Sequence, residues 1–138
     1  MEMKEIKFWK DKNKKLLEPE LFSSIAEDWA KEVKKSCEVN NGKPTNNKPT
    51  QIRKFYDEVI RFNSIVETNP DEFDNILPYL KMLNAKAAYA VGRKNLVSDE
   101  FKQFISKSLS QIKDKDDFRA FVGLFESFIG YYKFYYEK

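Results

Sequence analysis

Lys86, Tyr89 and Arg93 stand at i, i+3 and i+7, a spacing that lines two cations and an aromatic ring along one edge of a helix. Lys81 and Lys94 flank that edge, and Arg53, Lys54 and Arg61 project from the polar side of a second helical stretch. Cations held on rigid helices track a phosphate backbone, and a tyrosine among them is available to stack or to donate a hydrogen bond. A plainer reading competes with this one. Arg53 with Asp57, and Lys54 with Glu58, make ordinary i,i+4 helix pairs of roughly 0.3 kcal/mol each.

Other chemistries find less to work with. The chain has no histidine, which removes the commonest metal ligand, the commonest general base and every Ser-His or Cys-His nucleophile pair. Its single cysteine, Cys37, excludes an internal disulfide and an all-cysteine metal site, and reads as a small core or boundary residue. Asp71, Glu72 and Asp74 form one acidic cluster, and Asp114, Asp116 and Asp117 another. Each precedes a helical stretch, where carboxylates accept from free backbone N–H groups and complement the helix dipole. A two-metal site needs ligands converging from several elements, and nothing marks such a set. Gly42, Gly92, Gly123 and Gly130 are too far apart for a phosphate-cradling loop. Gly123 and Gly130 suit a close helix crossing instead. The expectation is a non-enzymatic protein with no cofactor and no metal; a nuclease using Asp71 and Asp74 is the weakest alternative.

The totals agree. At 138 residues, with 41% hydrophobic and 15% aromatic content, the chain is expected to fold as one domain, residues 1–138. A net charge of +3 is too mild to announce a nucleic-acid binder, so any such surface must be a local patch. No apolar run approaches the roughly 20 residues that span a bilayer, and the start, MEMKEIKFWKDKNKK, lacks a signal peptide's apolar stretch. A cytoplasmic location with no membrane partner is expected.

The elements that must position these residues are helical throughout. Asp114–Lys138 carries Phe118, Phe121, Val122, Phe125, Phe128, Ile129 and Tyr132 at steps of three and four, behind three capping aspartates. It predicts a central aromatic helix. Residues 1–15 read as a loose lysine-rich arm whose Trp9 docks on the body. A helix is expected over Pro19–Cys37 from Leu21, Phe22, Ile25, Trp29 and Val33. Glu38–Pro49, rich in asparagine and proline, reads as a long flexible loop. Thr50–Glu67 is the next helix, with Ile52, Phe55, Val59, Phe62 and Val66 on its apolar stripe. A short turn follows at 71–75, and Pro78 kinks the segment or opens a helix near Leu77. Leu80, Leu83, Ala87 and Ala90 then face inward, with Gly92 ending that helix or carried through to about Asn95. Ser98 caps a further helix bearing Phe101, Phe104 or Ile105, Leu109 and Ile112. The predicted fold is an all-α, single-domain bundle of about five helices.

Three segments also carry a resemblance. Thr50–Val59, TQIRKFYDEV, resembles a segment of the small helical subunit of type III-A CRISPR (Csm) effector complexes. Leu80–Arg93, LKMLNAKAAYAVGR, resembles that family's basic helix, and Phe121–Tyr136 is similar to its aromatic carboxyl-terminal helix. The three keep the family's order and spacing, while the first 50 residues match only in being helical with a polar loop. The resemblance implies a non-catalytic structural subunit of an antiviral ribonucleoprotein. Its copies would stack on one another beside the backbone subunits, line the path of the guide–target RNA duplex, and touch other effector subunits. The family's basic positions fall on Arg53, Lys54, Lys81, Lys86 and Arg93. Sequence specificity would then come from guide pairing, with the protein touching phosphates only. The alternative is a helical adaptor or homodimer with no nucleic-acid contact.

Overall fold

The computed structural model describes residues 5–93 and 95–137. Its centre is α6, Lys115–Tyr136, which packs chiefly on α1 and α2. Asp114 starts it: its carboxylate accepts from the Asp117 N–H at 2.8 Å, while Asp117 accepts in return from the Asp114 N–H. Phe118, Phe121, Phe125, Phe128 and Tyr132 are all buried. Their rings meet those of α5, Asp99–Leu109: Phe104 stacks on Phe128 at 4.4 Å, and Phe128 on Tyr132 at 5.6 Å. Each buried Phe contributes roughly 1.5–3 kcal/mol through removal from water, so this column is the main source of cohesion.

The other helices surround it. A single π-helical turn over Leu21–Ile25 runs into α1, Ala26–Lys35, which buries Trp29 and Val33. The helical run therefore begins at Leu21, two residues after Pro19. α2, Pro49–Thr68, buries the stripe Ile52, Phe55, Val59, Phe62 and Val66, as the spacing predicts. A 3-10 turn, Pro70–Glu72, leads into α3, Phe73–Lys81, with Pro78 inside it. Met82 alone separates α3 from α4, Leu83–Gly92. Met82 keeps α-helical dihedrals (φ −62°, ψ −18°), and its carbonyl accepts from the Lys86 N–H at 3.1 Å. The buried face carries on across the break, through Ile76, Leu80, Leu83, Ala87 and Ala90. With these helices, the described residues form the expected all-α bundle.

Two segments depart from expectation. Residues 1–4 of the expected arm lie outside the described residues, and residues 5–15 are held to the body. Ile6 and Phe8 are buried in the core, and Trp9–Asp11 (β1) pairs antiparallel with Leu16–Leu17 (β2) across a 3-10 turn. The Trp9 indole N–H donates to the buried Asp117 carboxylate at 2.8 Å, and Lys12 reaches both Asp114 and Asp117. A half-buried indole N–H favours such a partner, and the N-terminal end of α6 supplies it. The 38–49 segment also holds structure. Val39–Asn40 (β3) pairs with Lys43–Pro44 (β4) around Asn41 and Gly42, both at positive φ, the geometry for which an Asn-Gly pair is suited. Asn46 and Asn47 beyond it are buried.

Candidate nucleic-acid interface

On α2 the polar positions Gln51, Lys54, Glu58 and Arg61 follow one another at steps of three and four, beside the buried stripe. On α4 the buried positions are Leu83, Ala87 and Ala90, which lie against α5, and a narrow groove runs between α4 and α2. Gln51, Lys54, Phe55, Glu58, Leu83, Lys86 and Ala90 line this groove, of about 230 Å³. It continues into a second hollow of about 400 Å³, where Glu58, Arg61 and Lys86 meet Ile76, Tyr79 and Met82. The structure therefore brings Lys54, Arg61 and Lys86 together. Tyr89 and Arg93, both exposed, extend the edge by one and two turns from Lys86.

The one acid in the groove is already neutralised. Arg61 forks onto Glu58, with Nη2–Oε1 at 2.6 Å, and that hydrogen bond holds the Glu58 carboxyl below its usual range despite partial burial. The expected Lys54–Glu58 pair is replaced by this one, because Arg61 offers two donors to both carboxylate oxygens. Among the described residues, Lys54, Lys86 and Arg93 are in no ion pair. They remain the cations open to an outside anion.

Two other predicted residues go elsewhere. Arg53 lies on the opposite edge of α2 and faces α6: it pairs with Asp57 at 3.5 Å, stands 5.7 Å from the Tyr56 ring, and lines a separate hollow with Ile129 and Lys133. Lys81 is turned inward. Its ammonium donates to the Leu109 carbonyl at the last residue of α5, where a cation satisfies an orphan acceptor and the helix dipole. Burial, with Lys113 nearby, pushes its pKa down. Lys94 lies outside the described residues. The structure also adds two side chains that sequence reasoning passed over, Tyr79 and Met82, exposed at 60% and 48% beside the groove. Their spacing of 79, 82, 86, 89 and 93 was the available signal, obscured by Pro78 standing as a helix boundary.

Among the described residues no group of three or more Cys, Asp and Glu side chains is placed to hold a metal ion. What the arrangement can do chemically is hold an anionic strand. A family model described as Csm2 Type III-A matches residues 16–138. No curated protein and no solved structure matches the chain.

Proposed function

The chain belongs to the Csm2 family of type III-A and is thereby a structural subunit of the type III-A CRISPR complex, and from that premise we propose that it contacts the guide and target RNA backbone through the α2–α4 groove. The observation that carries this reading is the pairing of Lys54 and Lys86 across one groove, with the only acid there bound to Arg61. Phosphates meeting fixed ammonium groups on rigid helices are bound without base readout, so guide pairing supplies specificity and the subunit needs no catalytic group. Membership of the complex implies association with its other subunits. We extend the proposal to stacking of copies of this chain and to a cytoplasmic, single-domain protein. The single-domain part of that extension is supported by one core joining residues from Ile6 to Tyr132.

The test is charge reversal in the assembled complex. Lys86→Glu with Arg93→Glu is expected to weaken target-RNA retention, steeply so as salt rises, while helicity by circular dichroism stays at the wild-type level. Retention equal to wild type would remove this groove from the RNA path. An adaptor reading draws on a different place, a hollow lined by Phe22, Tyr131 and Phe134 on the α1–α6 side. Assembly that ignores both salt and the Lys86 and Arg93 reversals would favour it.

A further inference from the structure

Tyr79, Met82, Lys86, Tyr89 and Arg93 recur at steps of three, four, three and four. The buried positions Ile76, Leu80, Leu83, Ala87 and Ala90 keep steps of four and three across Met82, so these five lie on one shared outer face of α3 and α4. All five are exposed, and Tyr79, Met82 and Lys86 line the same hollow. A single exposed aromatic on a surface is ordinary. Two exposed tyrosines, each followed one or two turns on by a cation on the same face, make a different object.

From this face we infer that the α3–α4 edge is a stacking platform for unpaired RNA bases, with Tyr79 and Tyr89 holding one base each and Lys86 and Arg93 holding the phosphates between and beyond them. The inference rests on the RNA reading above: the cations keep their phosphate contacts with paired guide and target, and the tyrosines take bases wherever a strand of that RNA is unpaired. In a duplex the bases stack on one another and present only their backbone, so the tyrosine faces would find nothing to cover. In a single strand every base has a free π-face, and aromatic side chains beside cations are the usual means of holding it. Ten residues separate the two rings, about 15 Å along the helix axis. That is the length of roughly four stacked nucleotides of one strand. Met82 between the rings offers a soft apolar surface for the intervening base.

The experiment measures binding of the full-length chain to a short oligouridine strand and to a duplex RNA of equal length, by fluorescence anisotropy at low salt. Single-strand binding is expected to fall roughly fivefold or more in Tyr79→Ala and again in Tyr89→Ala. Tyr79→Phe should bind within about twofold of wild type, since stacking needs the ring and not the hydroxyl. Duplex binding should change little in all three variants. If Tyr79→Ala with Tyr89→Ala leaves single-strand binding intact while Lys86→Glu lowers it, the platform is overturned and the phosphate groove stands. Equal losses on single strand and duplex also overturn it. If wild type binds neither RNA, the groove and the platform fall together. Both tyrosines are exposed, so loss of fold does not confound the alanine variants.

Discussion

Asn47 and Ser98, 51 residues apart, bind each other twice: the Asn47 carboxamide oxygen accepts from the Ser98 backbone N–H at 2.7 Å, and its nitrogen donates to the Ser98 hydroxyl at 2.9 Å. Ser98 is the N-cap of α5, so a loop residue fixes the start of a core helix. Asn47 also donates to the Val33 carbonyl at the end of α1, and its own carbonyl accepts from the buried Tyr132 hydroxyl near the end of α6. One fully buried residue, by its side chain and its backbone carbonyl, therefore ties the 38–49 segment to three helices. Its φ of 52° is a conformation asparagine tolerates better than other side chains.

Asn47→Ala should destabilise the protein by about 3 kcal/mol, since a buried N–H and a buried carbonyl lose their partners and alanine is strained at that φ. Asn47→Gly should recover about 1 kcal/mol of this, the backbone part only. Urea unfolding of the two variants measures the difference; equal losses would remove the backbone contribution.

Lys81 and Lys86 should separate stability from RNA binding. Lys81→Met removes the cation that caps α5 and is expected to cost about 1 kcal/mol while leaving target-RNA retention unchanged. Lys86→Glu should do the reverse, because its ammonium is exposed and makes none of the described hydrogen bonds or ion pairs. Thermal melts and RNA retention, run side by side on both variants, check the pair.

The amino-terminal tether should give way at both ends of the pH scale. Asp114 is pushed up by burial, but Lys12 and the backbone N–H groups of α6 outweigh this and leave its pKa below the ordinary value of 3.8. Its contribution is present above that value and lost as acid titrates the folded carboxylate. Hydrogen bonds to Asp114 and Asp117 raise the Lys12 pKa above 10.5, so its contribution is complete below that pH and lost above it. Trp9 fluorescence, reporting the indole on Asp117, should stay constant between about pH 5 and pH 9 and shift outside that window. A shift near neutrality would contradict this account.

The glycines of α6 should behave differently from each other. Nothing lies within 4 Å of a Cβ placed on Gly130, so Gly130→Ala is expected to stabilise the helix by about 1 kcal/mol. A Cβ on Gly123 would come within 2.6 Å of the Phe22 ring, which must swing aside, and the gain should vanish or reverse. Chemical denaturation of both variants decides it. Of the two glycines expected to allow a close crossing, only Gly123 has a neighbour against it, the Phe22 ring.

The helices were legible wherever a long apolar stripe met a cap. In α2, α5 and α6 the stripes run for at least three turns, and Ser98 and Asp114 mark two of the starts. The buried stretch ahead of β1 was not, because Ile6 and Phe8 alternate only once and a period cannot be read from two residues. The β3–β4 hairpin carried its signal, Asn41-Gly42, inside a segment whose other asparagines and prolines suggested disorder. The site divides in the same way. Adjacent residues on a helix point about 100° apart, so Arg53 and Lys54 could not both face one groove. The fate of Lys81 depended on α5 ending beside it, a contact 28 residues distant that no local period encodes.

The ties that close this bundle span most of the chain: 51 residues from Asn47 to Ser98, 85 from Asn47 to Tyr132, and 108 from Trp9 to Asp117. Helices form from neighbours in sequence, and most helical bundles refold quickly because their contacts are local. Here the last steps must wait for distant segments to meet, with the entropy of large loops spent before the buried hydrogen bonds form. Refolding should therefore run slower than the helix content alone would set, with the loop around Asn47 and the strand around Trp9 among the last segments to gain protection from hydrogen exchange.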